Sequence, residues 1–142
     1  MKKLLSTIVL IFVFFNTLAH ASKLNGMKGL TEFDVRVPIN PGCGLTEDKV
    51  KNSILFVLAN SKLKVNEYAE TVLQTSLNIL SDDLGCYASL DVKVYEWSNR
   101  GPVLLYTDGY LYKTNTDDFE TAMLNLIEQH IKTLVVAWAE VN

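Results

Sequence analysis

Histidine is nearly missing from this chain, with two in 142 residues, and one of them, His20, lies in an N-terminal stretch that reads as removable. With one imidazole, His130, left outside that stretch, sites that gather several histidines around a metal are out of reach, and a histidine-dependent mechanism has that residue alone to use, with no partner named by the sequence. Cysteine is equally scarce: Cys43 and Cys86 are far apart and form no Cys-x-x-Cys redox motif. Only three prolines interrupt the chain, and no low-complexity segment or repeat is present. Past the N-terminus there is no apolar run of the roughly 20 residues a spanning helix needs. At this length a multidomain enzyme, a disordered tail and a polytopic membrane protein are excluded together.

What is there begins with a leader. Met1, Lys2 and Lys3 form a positive start, Leu4 to Leu18 are almost wholly apolar, and Ala19-His20-Ala21 puts small residues where a signal peptidase reads. The expectation is a cleaved signal peptide over 1–21 and one exported domain over 22–142. No cysteine follows the small residues, so no lipid attachment and no stable membrane anchor is expected. Removing Lys2 and Lys3 leaves 11 basic residues against 16 acidic ones, a formal charge of −5 on the exported portion. Such a surface repels phosphates, which argues against nucleic acid as a partner. Export also places the two cysteines in an oxidising compartment, periplasmic or secreted, where a Cys43–Cys86 disulfide is expected.

Hydrophobic periodicity gives the element order. Phe33, Val35, Val37 and Ile39 alternate with Glu32, Asp34 and Arg36 as a half-buried strand does. Thr46, followed by Glu47 and Asp48, caps a helix predicted to run to about Asn60, with Val50, Ile54, Val57 and Leu58 on its apolar face. A second strand, Thr71 to Leu80, turns Leu73, Leu77 and Ile79 to one side. The third, Cys86 to Trp97, sets Ala88, Leu90, Val92 and Val94 against Tyr87, Ser89, Asp91, Lys93, Tyr95 and Trp97. A fourth strand is read from Val103 to about Tyr112, with a hairpin at Asp108-Gly109 as the alternative. A closing helix starts at Thr116 and carries an apolar stripe from Phe119 to Val141.

The predicted fold is therefore an α+β two-layer sandwich, β-α-β-β-β-α. Its sheet has four mostly antiparallel strands, with both helices on one face. If the second strand runs parallel to the first, Cys43 and Cys86 fall at the same end of the sheet, as a disulfide requires.

Candidate sites are few. His130 falls within the apolar stripe of the last helix, where one hydrogen bond satisfies a structural histidine. Asp82-Asp83 and Asp117-Asp118 occupy a turn and a helix first turn, places that favour aspartate for local reasons. No catalytic residue, metal site or cofactor is expected. Tyr87, Tyr95 and Trp97 share the outer face of the third strand, and Tyr106, Tyr110 and Tyr112 can share that of the fourth. Together they gather five of the six tyrosines and one of two tryptophans on a face no helix covers. Such a face either strengthens the sheet by cross-strand pairs or marks a binding surface.

In element order, an exported β-α-β-β-β-α domain of this size is similar to the LPS-assembly lipoprotein of the outer-membrane lipopolysaccharide translocon and to other small envelope accessory proteins. It departs from those lipoproteins in lacking the lipidated cysteine. The resemblance implies an envelope binding or assembly role. The resulting expectation is a non-enzymatic accessory protein that docks an envelope protein, or a second copy of itself, through the aromatic face or an edge strand. An inhibitor or immunity protein against a toxin or hydrolase is the alternative. A carboxylate-dependent hydrolase and a sugar stacked on the rings stay open behind these.

Overall fold

The computed structural model describes residues 26–142 apart from 84 and 115; the leader over 1–21 lies outside the described residues. The elements are β1 (Glu32–Arg36), β2 (Ile39–Asn40), α1 (Glu47–Ala59), β3 (Lys64–Val65), β4 (Thr71–Asp82), β5 (Gly85–Ser98), β6 (Gly101–Thr114) and α2 (Thr116–Ala139). The class is α+β, as expected, but the sheet has six strands rather than four and is mixed rather than mostly antiparallel. Two local causes account for the difference. Pro38 breaks the predicted first strand into β1 and β2, which lie end to end beside β4. Lys64 and Val65 pair outside β1, in a run too short to show any period.

The strand order is β3-β1-β4-β5-β6. β1 runs parallel to β4, with Val35 opposite Leu73, so α1 serves as the crossover between them. β4, β5 and β6 form an antiparallel meander. α1 starts where its sequence says: the Thr46 hydroxyl accepts from the Lys49 amide, and Glu47 and Asp48 face the positive end of the dipole. The two helices lie side by side in the same direction. Lys49 Nζ meets Glu120 at 2.8 Å near their starts, and Ser53 Oγ donates to Glu128 at 3.3 Å further on.

A single core fills the space between the layers. Leu73, Leu77 and Ile79 of β4 and Ala88, Leu90, Val92 and Val94 of β5 bury against Val50, Ile54 and Leu58 of α1 and Phe119, Met123, Ile127, Ile131 and Leu134 of α2. The expected disulfide is present between Cys43 and Cys86, with Cα atoms 6.4 Å apart. Cys43 sits in a tight turn with positive φ at both central positions, 51° for Cys43 and 82° for Gly44. The turn is closed by the Leu45 amide on the Gly42 carbonyl. A non-glycine residue in that region costs about 1 kcal/mol, and here the bridge to β5 holds it in place. Among the described residues no helix is long and apolar enough to cross a membrane.

Candidate docking surface

The helices cover one face of the sheet, and among the described residues no helix lies on the other, here called the open face. Residues paired across strands share a face, so the register decides which side chains reach the open one. β5 contributes Tyr87, Ser89, Asp91, Lys93, Tyr95 and Trp97, as the alternation predicts. β4 contributes Val72, Gln74, Ser76, Asn78 and Leu80, and β1 contributes Asp34 and Arg36.

One part of the expectation does not hold. Tyr106, Tyr110 and Tyr112 pair with Val94, Leu90 and Ala88, so they point to the helix side, away from Tyr87, Tyr95 and Trp97. The cause is a single bulge. From the turn, Ser98 faces Gly101, Trp97 faces Pro102 and Tyr95 faces Leu104; then Val94 faces Tyr106, leaving Leu105 as an extra residue. Continued without that insertion, the turn register would have set the three tyrosines opposite Lys93, Ser89 and Tyr87 on the open face. One added residue turns every later side chain of β6 over.

The open face therefore has two apolar ends and a polar middle. At one end Tyr95 lies opposite Val72, which is fully buried though it belongs to this face, and opposite Leu104 of β6. The Tyr95 hydroxyl donates to Gln74 Oε1 at 3.3 Å, and its ring meets Trp97 edge-on at 5.7 Å. Trp97 is 51% exposed. Beside them Arg36 Nε donates to Asp34 Oδ2 at 2.7 Å; that hydrogen bond and the aspartate charge raise the guanidinium pKa further above its ordinary value. Lys93 pairs with Asp91 in the middle. At the far end Leu80, Tyr87, Leu111 and Lys113 border a shallow groove of about 420 Å³, with Lys113 Nζ 4.9 Å from the Tyr87 ring centre.

The displaced tyrosines build a second cluster against α2. His130 Nδ1 lies 2.5 Å from Asp108 Oδ2, and its ring is 6.0 Å from that of Tyr110. Tyr106 is buried beside Asp108, and burial first and the carboxylate charge second push its phenol up to about 12. No signal in the sequence marks this meeting, since Asp108 and His130 stand 22 positions apart on a strand and a helix. Of the acidic pairs, Asp82 ends β4 and Asp83 follows it in the turn; Asp118 is exposed in the first turn of α2, and the Asp117 side chain is outside the described residues. Among the described residues no group of three or more His, Cys, Asp or Glu comes together as a metal site.

β6 completes the surface. It is 14 residues long and has no strand beyond it among the described residues. It also carries Val103, Leu104, Tyr110 and Leu111, all about half exposed or more, with Leu111 at 82%. The opposite edge, β3, has two residues, one of them a lysine. A long edge with free amides and carbonyls is a template for another strand, and proteins usually blunt it with charge, proline or brevity. β3 is blunted by its shortness and Lys64. β6 has Pro102 near one end and Lys113 near the other, and between them only Asp108, which His130 already engages.

No family model matches the chain, and no curated protein matches it. Two solved structures are similar to it in chain trace. A hypothetical protein, CT253, from Chlamydia trachomatis is 14% identical with a TM-score of 0.43, over 80% of this chain and 96% of that one. A minor lipoprotein from Acinetobacter baumannii is 15% identical with a TM-score of 0.41, over 80% of this chain and 94% of that one. A likeness of this size carries no function.

Proposed function

We propose that the chain is a small exported, non-enzymatic binding or assembly accessory protein. It takes up an extended partner segment along the free edge of β6, with the adjoining open face as the flank of the site. The observation that carries this reading is the middle of β6, whose exposed Leu104, Tyr110 and Leu111 accompany a row of backbone groups that no further strand among the described residues pairs with. Strand addition uses both: main-chain hydrogen bonds supply affinity and alternate side chains supply selectivity. Tyr95 and Trp97 support the same reading from the open face, where an exposed tryptophan beside a hydrogen-bonded tyrosine is the composition of an interface centre. The leader pattern and the disulfide support an address outside the cytoplasm, periplasmic or secreted.

The test is site-specific photo-crosslinking in the native envelope. A photoreactive residue at Leu111 is expected to capture protein, while one at Phe56, which is 63% exposed on α1, captures little. Equal yields at Leu111 and Phe56 would show that β6 is not the docking element.

A further inference from the structure

We propose that the segment seated on β6 is the same segment of a second copy of this chain, paired antiparallel about a two-fold axis through Tyr110. This rests on the reading of β6 as the docking edge and names its occupant. Beyond the bulge, β6 keeps an unbroken register with β5 from Tyr106 to Thr114, and Tyr110 is the midpoint of those residues. An isologous pairing centred there uses the whole regular segment and leaves no overhang.

Two features of β6 favour a copy of itself over an unrelated strand. In this register Gly109 stands opposite Leu111 of the second copy, and the symmetry repeats the pair. Leu111 is the most exposed apolar side chain of the sheet, and Gly109 is exposed and has no side chain, so one fills what the other leaves open. The charges also fit. Asp108 falls opposite Tyr112 and Lys113 opposite Thr107, so no like charges meet. A centre at Asp108 would set two carboxylates against each other, and one at Gly109 would leave them diagonal neighbours.

Tyr110 itself points the same way. It lies on the helix side, with its ring beside His130, yet it is 52% exposed, with no described residue of a further strand past the edge to cover it. The axis would cover it with its own mate, where aromatic pairs are favourable. Because the axis is perpendicular to the sheet, the two sheets join into one, with both helix layers on the same side.

The experiment is sedimentation of the exported chain, 22–142, over a wide concentration range, together with two single-cysteine additions. The unaltered chain is expected to sediment as a dimer. Leu111→Lys, a change at an exposed side chain, is expected to keep the far-ultraviolet spectrum and sediment as a monomer. Tyr110→Cys faces its own mate and should form a covalent dimer on oxidation. Thr107→Cys, about 20 Å from its mate in this register, should not. A monomer at every concentration, or equal crosslinking at the two cysteines, overturns the second copy as occupant. If the monomer still captures another protein at Leu111, docking at β6 stands and only the occupant is wrong; if neither capture nor self-association depends on Leu111, both fall.

Discussion

Thr75 is fully buried on the core face of β4, opposite Val92, and its hydroxyl has no hydrogen-bond partner among the described residues. An unpaired buried hydroxyl keeps its desolvation cost, so Thr75→Val is expected to raise the unfolding free energy by about 1 kcal/mol in urea titration. Tyr106 gives a pH dependence. Its phenol titrates at about 12 in the folded protein and near 10 when unfolded. Between those values the unfolded chain sheds the proton while the folded one keeps it, so stability falls as pH rises from about 10 to 12. Tyr106→Phe should flatten that decline in denaturation curves at pH 9 and pH 11. Neither feature could be read from a spacing. Thr75 follows the parity of its strand, and nothing local says that the hydroxyl will lack a partner. Alternation from the turn places Tyr106 on the open face, and the bulge puts it in the core.

At the scale of elements, legibility followed length and capping. α1 was placed to within a residue, because Thr46 and the acidic first turn are local signals with a mechanism. β4 and β5 followed from their alternation and came out slightly longer than read. The fourth strand reads as one long strand, with a hairpin at Asp108-Gly109 as the alternative. The structure runs β6 straight through both, since Val92 and Asp91 of β5 pair there without interruption. A long β5 must satisfy its outer backbone groups, and a hairpin at 108 would have left half of them unpaired. β3 was missed because a two-residue strand has no period and exists only through β1. The edges, which decide what the sheet can bind, were not legible at all: a strand becomes an edge by what is absent beside it.

For the whole molecule, the disulfide ties the loop before α1 to the start of β5 across a sequence separation of 43. A bridge over that span stabilises by about 4 kcal/mol in the chain-entropy account. Reduction is therefore expected to lower the melting temperature clearly, with recovery on reoxidation. Melting that ignores reductant would show the bridge contributes little. The parallel pairing of β1 with β4 and the joining of Cys43 to Cys86 were expected together and are found together. Taken by itself, the sequence determined the α+β class, which side chains share a face within β4 and within β5, the capped start of α1 and the cysteine pairing, since these depend on neighbours a few positions apart or on there being only two thiols. The tertiary structure alone decided which face β6 turns outward, that Asp108 meets His130, and that β6 ends the sheet among the described residues. Those depend on register between strands, where one extra residue at Leu105 outweighs the pattern of all that follow.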